Sequence, residues 1–456
     1  MADPKPRYRS GRQCLVVAEV LLALSAASCN DPAPRSGDAG PWPGWRGPAG
    51  SGVAAVGVEP PDAWPSGDVG IAWRVEIPGH GLSQPIIAAD QIVLTTAVKG
   101  PRGAVRSIVA LDTDSGQQRW RREVSAGPRE RVHVRFGSYA TPTPVTDGRS
   151  IFAYFGGALA AVDLRGEPLW QVAVDREYLA ESRYGAASSP VLTREAVIVF
   201  RDDEWGEEEE LSWLAAFDRR SGDVVWRSEW RDTCCSYATP LVVDRGSGEE
   251  ILVASSGLLR AFAAPTGEVL WEIRTPSVQV VPSPVIEGDL LAVTGAVHDR
   301  RTAVYRLLGS GRGTRVEELW SNQQSVPEIA SPVLHQRILY TVTEAGILCA
   351  YDAETGRRHW RRRLAPGPYR ASLLAAGGRL YALSSRGVVT VVRLGRTFRL
   401  LAESGIEGAS DASPAVLPGA LLLRGQRFLY RIDASGKEGQ VQTSPTLAGV
   451  NTVLPG

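Results

Sequence analysis

Of the five cysteines in this 456-residue chain, Cys234 and Cys235 are adjacent. In an oxidising compartment two neighbouring thiols can close into a small ring that strains the peptide bond between them, and such strain gathers at functional sites. The pair is therefore a redox or vicinal-disulfide candidate; reduced thiols and a purely structural bridge are the alternatives. Cys349 lies in an apolar run and reads as a buried small hydrophobe. A second group of residues suits recognition. Phe136-Gly137-Ser138-Tyr139-Ala140-Thr141-Pro142 and Cys234-Cys235-Ser236-Tyr237-Ala238-Thr239-Pro240 each place a Tyr three residues before a Pro. Arg183-Tyr184 and Tyr369-Arg370 stand in comparable stretches, with His133 and Arg135 nearby. Aromatic faces beside guanidinium groups suit stacking and the capture of a carboxylate or other anion. The binding candidates are Arg135, Tyr139, Arg183, Tyr184, Tyr237, Tyr369 and Arg370; the alternative is that these tyrosines only pack the entrances of repeated units.

No catalytic or metal-binding residue is assigned. His80, His133, His298, His335 and His359 show no metal-ligand spacing, and His359 is expected on an exposed face. Asp232, Glu181, Glu328 and Asp411 are scattered acids, and an acid in a loop is usually solvated. Nucleophile-elbow, phosphate-loop and zincin patterns are missing from the sequence. The acidic run from Asp202 to Glu210 reads as an extended hairpin whose charges discourage strand pairing.

The elements that carry these residues repeat. Ala350-Tyr351-Asp352-Ala353-Glu354-Thr355-Gly356-Arg357-Arg358-His359-Trp360 has counterparts ending at Trp120, Trp170, Trp226, Trp271 and Trp320. The Asp and Thr/Ser-Gly suit a tight hairpin in which Gly takes positive φ, and the Trp falls on the outgoing strand. Trp73, Trp120, Trp170, Trp226, Trp271, Trp320 and Trp360 stand 40 to 56 residues apart, and Leu401 is expected on the next rung. Strand starts recur with the same period at Ser83-Gln84-Pro85, Thr141-Pro142, Ser189-Pro190, Thr239-Pro240, Ser283-Pro284, Ser331-Pro332, Ser372-Leu373 and Ser413-Pro414. That period, with short β runs, predicts an all-β, eight-bladed β-propeller of four-stranded antiparallel sheets. No Trp strand follows the last blade. Ile71-Ala72-Trp73-Arg74-Val75 is therefore predicted to close the ring as that blade's outer strand, removing a free edge.

The repeated Ala-x-Asp-x-x-Thr/Ser-Gly-x-x-x-Trp pattern resembles the tryptophan-docking repeat of the pyrroloquinoline-quinone (PQQ) propeller superfamily. That superfamily includes BamB-type lipoproteins of outer-membrane protein assembly and quinoprotein alcohol dehydrogenases. The first resemblance implies a non-catalytic scaffold, without cofactor, that binds protein or peptide at the channel face. The second implies PQQ with Ca²⁺ or a lanthanide, and an adjacent Cys pair over the quinone, where Cys234 and Cys235 match; its Glu, Asn and Asp metal ligands, Asp base and Trp have no assigned counterpart here. Fold does not choose between the two.

The chain ends add a destination. Lys5, Arg7, Arg9 and Arg12 precede an apolar run from Cys14 to Ala27, which reads as a secretory signal too short for a membrane span. Ser25-Ala26-Ala27-Ser28-Cys29 resembles a lipobox, implying lipidation at Cys29; ordinary cleavage nearby is the alternative. The expected organisation is a signal over residues 1–28, a Pro/Gly-rich linker over 29–64, and the propeller over 65–456, in an exported, periplasmic, membrane-anchored and monomeric protein. Trp42-Pro43-Gly44-Trp45-Arg46-Gly47-Pro48, inside the linker, resembles a segment that precedes the propeller in this superfamily, and its tryptophans are expected to dock on the propeller surface. Fifty basic and fifty acidic residues give no case for nucleic acid, and the scarcity of Lys reads as a bias towards Arg without a basic patch.

Overall fold

Strict apolar alternation between Gly-containing turns forms short antiparallel strands, and eight sheets of them follow one another along the chain. The computed structural model describes residues 42–65, 70–100, 103–124, 137–174, 184–202, 211–275, 279–295, 299–408, 411–433 and 440–441. The first blade is Ile86–Ala88, Gln91–Gly100, Gly103–Asp112 and Gln118–Val124, running from channel to rim, and the next six repeat this order. The eighth holds Ala415–Leu417, Ala420–Arg424 and Phe428–Asp433, and its fourth strand is Ile71–Glu76. Ile71 pairs with Ile432 and Glu76 with Phe428, so the two ends of the propeller close the ring as expected. One feature is additional: Gln440–Val441 pairs in parallel outside that strand, making the last blade five-stranded.

Each tryptophan locks its blade to the next. The residue across the ladder is Ala110 for Trp120, Ala216 for Trp226 and Ala350 for Trp360, small enough to leave room for the indole. For Trp73, Trp120, Trp170, Trp226 and Trp320 the ring then lies on the hairpin Gly of the following blade, where a Cβ on Gly116 would stand 2.8 Å from Trp73 and one on Gly356 2.7 Å from Trp320. The indole N–H donates to a carbonyl of the same hairpin: Trp73 to Thr113 at 3.1 Å, Trp226 to Ala264 at 2.9 Å, Trp360 to Gly395 at 3.0 Å. Burying an indole is worth roughly 4 to 6 kcal/mol as an upper bound. Trp271 departs from the pattern because the next hairpin carries the short turn Gly311–Gly313; its N–H donates to Glu250, whose other oxygen accepts from the Gly311 N–H. The expected Leu401 rung is also displaced. Val391 faces Ala402, and Leu401 is the extra residue of the bulge, half-buried against the core of the closing blade.

A second belt runs around the channel. Thr143 N–H donates to Ser189 Oγ, Ser189 N–H to Thr239 Oγ1, Thr239 N–H to Ser283 Oγ, Ser283 N–H to Ser331 Oγ, Ser331 N–H to Ser372 Oγ, and Ser372 N–H to Ser413 Oγ, at 2.9 to 3.2 Å. Where the last blade meets the first, Gln84 takes the hydroxyl's place: its amide donates to the Pro414 carbonyl, and its backbone N–H donates to Thr143 Oγ1. This corrects the start of the second blade, since the belt runs through Thr143-Pro144 and not Thr141-Pro142. Two consecutive X-Pro steps fit the pattern, and the strand beginning at Val145 selects the later one.

Candidate functional site

Strand direction divides the channel into two ends. The loops joining an outer strand to the next inner strand lie at one end; the Gly hairpins and the turns after the inner strands lie at the other. The hairpin end is closed by the chain's own N-terminal segment. The Trp42 carbonyl accepts from Ile87 N–H and the Pro43 carbonyl from Thr146 N–H, both at 2.8 Å; Gly52 and Ala54 pair with Ala375. Trp42 is fully buried, and Trp45 Nε1 donates to Ser283 Oγ at 3.2 Å. The two tryptophans thus dock inside the channel, where the hydroxyl belt and free strand ends of several blades supply partners that the outer surface lacks. Between them and Gly52, Arg46 is wholly buried: its backbone N–H donates to Gln84 Oε1 at 2.7 Å and its Nη2 to the Pro332 carbonyl. No carboxylate neutralises it among the described residues, and burial alone pushes its pKa down to about 9.

Above this plug the described residues enclose a cavity of about 130 Å³. Its floor is Trp45, its walls are belt hydroxyls of Ser189, Thr239, Ser283, Ser331, Ser372 and Ser413, and Tyr237, Arg370 and Asp411 stand on its lining. Arg370 is shared between Glu344 at 2.7 Å and Asp411 at 3.1 Å, and these two carboxylates keep its pKa raised against the opposing effect of burial. Ser385 Oγ also bonds Asp411. The arrangement is a polar ring with one aromatic wall and one aromatic floor, suited to hydrogen-bonding an extended polar chain and stacking on an inserted side chain.

The candidate residues separate when placed. Tyr237 and Arg370 reach the cavity, and Tyr184 meets Tyr237 edge-on at 5.5 Å between ring centroids. Tyr139 packs against the first two blades beneath the Arg106 guanidinium, 5.6 Å from its centroid, because the second blade's true start moves it two residues out of step with Tyr237. Tyr369 is also a packing residue: it is fully buried on Gly346, and its hydroxyl donates to the Ala365 carbonyl at 3.1 Å. Arg135 and Arg183, like Cys29, His133, Glu181, His298 and the acidic run over 203–210, lie outside the described residues. Glu328 accepts from the Glu344 N–H and pairs with Arg300, and Asp232 pairs with Arg260. His359 is not exposed: its side chain is 4% accessible, 3.9 Å from Asp352, because it occupies the bulge position before Trp360 and turns inward. Burial and then Arg357 lower its pKa. Cys349 is buried, as expected.

Cys234 and Cys235 are joined to each other by a disulfide, in the loop between Val224–Trp230 and Leu241–Asp244 at the open end. Cys235 has φ +67°, a left-handed conformation costly for a residue with a Cβ. The loop is held on both sides: Ser256 N–H donates to the Cys234 carbonyl, Val280 N–H to the Cys235 carbonyl, and Tyr237 N–H back to Val280. Ser236 N–H donates to Asp202 at 2.9 Å. The pair therefore sets the backbone from which Tyr237 enters the cavity.

Among the described residues the side chains do not make a Ca²⁺ site. Among the described residues, no three His, Cys, Asp or Glu side chains stand close enough to share a metal ion. The carboxylate on the cavity lining, Asp411, is already bound by Arg370 and Ser385.

Sequence reading missed three parts of this site: the Trp45 floor, the continuous hydroxyl belt, and the Glu344–Arg370–Asp411 bridge. The recurring Ser/Thr before Pro was the available signal for the belt, but it marked only where strands begin.

A closed ring of eight blades, seven of them carrying a tryptophan on the outer strand, with one channel end plugged by the chain itself, defines a PQQ-like β-propeller. The chain belongs to the family whose model is described as outer membrane protein assembly factor BamB, which matches residues 63–203, 210–328 and 314–397. No curated protein matches the sequence. Among solved structures, BamB from Moraxella catarrhalis is similar at 15% identity and TM-score 0.58, covering 80% of this chain and 99% of that one. The quinohemoprotein alcohol dehydrogenase from Comamonas testosteroni is similar at 11% identity and TM-score 0.60, covering 84% and 79%. The computationally designed Ika8 protein follows at 11% identity and TM-score 0.53, covering 79% and 98%. At these identities the likeness concerns the fold.

Proposed function

We propose that this chain is an exported, lipid-anchored scaffold of the BamB kind that binds a protein or peptide segment at the open end of its channel and catalyses no reaction. The observation that carries this reading is the asymmetry of the channel. One end is filled by the protein's own residues 42–54, while at the other, among the described residues, Tyr237, the Arg370–Asp411 pair and a ring of hydroxyls line the cavity. The family match supports a protein partner, because the family is described as an assembly factor for outer membrane proteins. Periplasmic location and lipidation of Cys29 rest on the N-terminal sequence.

A photo-crosslinking residue at Tyr237 tests the channel, with one at the exposed rim residue Val224 as control. Adducts with an envelope protein at 237 and none at 224 are expected; no adduct at 237 sinks the reading. Incorporation of labelled fatty acid that disappears in Cys29→Ala tests the anchor.

A second reading, a divergent quinoprotein dehydrogenase, is favoured by one observation, the Cys234–Cys235 disulfide at the open end. An absorbance titration with PQQ and Ca²⁺ separates the two: a retained chromophore with dye-linked alcohol oxidation establishes the second.

A further inference from the structure

Charge is balanced over the chain but not over its surface. Between Glu354 and Glu403 stand eleven arginines and no carboxylate side chain. This stretch forms the outer strand of the sixth blade, Arg358–Arg363, and most of the seventh. Nine of the eleven, at positions 357, 358, 361, 362, 363, 386, 393, 396 and 399, are exposed. None of the nine forms an ion pair among the described residues; Arg358 bonds Gln324, Arg361 bonds Ser325, Arg362 and Arg363 bond backbone carbonyls, and Arg362 lies over the Phe398 ring at 5.2 Å. Arginines at the neighbouring hairpins are neutralised, as when Glu354 takes both Arg306 and Arg337, and Asp62 takes Arg379.

The position of this cluster is specific. The seventh-blade hairpin replaces the Asp that opens most others with Arg393, and continues Leu394-Gly395-Arg396-Thr397-Phe398-Arg399. Leu394 N–H bonds Gly378 in the inner turn of the same blade, and Gly377 beside it lies against Glu59 of the N-terminal segment. The unneutralised arginines at 357, 358, 393, 396 and 399 therefore lie on the neighbouring hairpins of the sixth and seventh blades, at the end of the ring that the N-terminal segment plugs. The Trp360 indole N–H bonds the Gly395 carbonyl at 3.0 Å and Arg362 lies over the Phe398 ring, which brings the cations of the two blades together. Leu400, 48% exposed, and the half-buried Phe398 put apolar surface among them.

We infer that this face is a docking surface for an anionic membrane, with the phosphates of lipid headgroups as the groups bound. Guanidinium matches phosphate in a bidentate manner and is weakly hydrated. Seven of the nine lie on the two hairpins and the adjoining rim, while Arg363 and Arg386 lie towards the opposite end of their blades; the seven line none of the described cavities, which suits a plane of charge better than a single bound strand. Apolar Leu400 and Phe398 suit the headgroup boundary. The inference shares with the proposed function only that the chain works at a membrane; the channel's occupant does not enter it.

The test is co-sedimentation of the full chain with phosphatidylglycerol vesicles and, separately, phosphatidylcholine vesicles. An N-terminal apolar run partitions into both, so the preference between them is the readout. A preference of at least about tenfold for phosphatidylglycerol at low salt is expected, collapsing at high salt. The variant R357Q/R358Q/R393Q/R396Q/R399Q is expected to lose it. R165Q/R220Q, on hairpins of the second and third blades that retain Asp163 and Asp218, is expected to keep it. Equal partition of the wild type, or an unchanged preference in the five-site variant, overturns the inference. So does tighter binding to a DNA duplex or to polyglutamate than to the anionic vesicles, lost in the same variant, which would identify a nucleic acid or an acidic protein instead. Cross-linking at position 237 is expected to survive in the five-site variant, so failure here and failure of the channel reading are separate outcomes.

Discussion

The hairpins that open at Asp112 and at Arg393 hold equivalent places in the first and seventh blades, and each receives an indole from the blade before it. In the first, Asp112 accepts from Ser115 N–H and Ser115 Oγ and pairs with Arg119, which also holds Asp90. Charge there is spent within the turn. In the seventh, Arg393 N–H still bonds the Arg399 carbonyl, so the turn closes through its backbone, and its side chains are free to face outward. What the two hairpins share is a carbonyl for the indole N–H, not an acid. The Asp at this position is consequently a local stabiliser that one blade has exchanged for surface charge.

The largest test of that comparison removes the indoles. Trp73→Ala and Trp360→Ala are each expected to cost about 3 to 5 kcal/mol in urea denaturation. Nearly equal costs mean the lock ignores hairpin charge, whereas a cost under about 1 kcal/mol for Trp360 would show that the seventh hairpin is not a docking surface. Next come the glycines. Gly116 has φ +71° and a Cβ there meets the Trp73 ring, so Gly116→Ala is expected to cost about 2 to 3 kcal/mol; Gly395 has φ +139° with open space around it, so Gly395→Ala costs only backbone strain of about 1 kcal/mol.

A smaller difference is in pH dependence. The Arg119 guanidinium, with the Ser115 N–H, holds the Asp112 carboxyl well below the usual carboxylate range. Since the folded pKa lies below the unfolded value of about 3.9, the contribution is complete above that value and is lost as pH falls through the folded one. Asp112→Asn is thus expected to cost about 1 kcal/mol at neutral pH, with the gap to wild type narrowing as the solution becomes more acid than about pH 4. Arg393→Gln is expected to show no such narrowing, measured by denaturation midpoints across the acid range. Smallest of all, Arg396→Gln should move stability by less than about 0.5 kcal/mol.

Ring, blade count and closure were legible because Trp, Gly and Pro each mark one fixed point of a repeated unit, and eight repetitions average out local accidents. The site was legible only in part. Tyr139 and Tyr237 look alike in sequence, yet Thr141-Pro142-Thr143-Pro144 offers two strand starts, and only the belt of hydrogen bonds decides between them. Trp42 and Trp45 could be expected to dock, but channel and outer surface are equally apolar to a sequence pattern. The arginine face was hidden by counting charge over the whole chain, since acids elsewhere cancel it arithmetically without being near it.

The pairing of Ile71–Glu76 with Phe428–Asp433 has a kinetic consequence. Glu76 and Phe428 are 352 positions apart, so the seam cannot form until the whole stretch between them is available. Before then the nascent chain holds a row of sheets with an unsealed edge at each extremity, exposed to association with other molecules. Assembly of this protein should therefore be slow, with the seam as its final step.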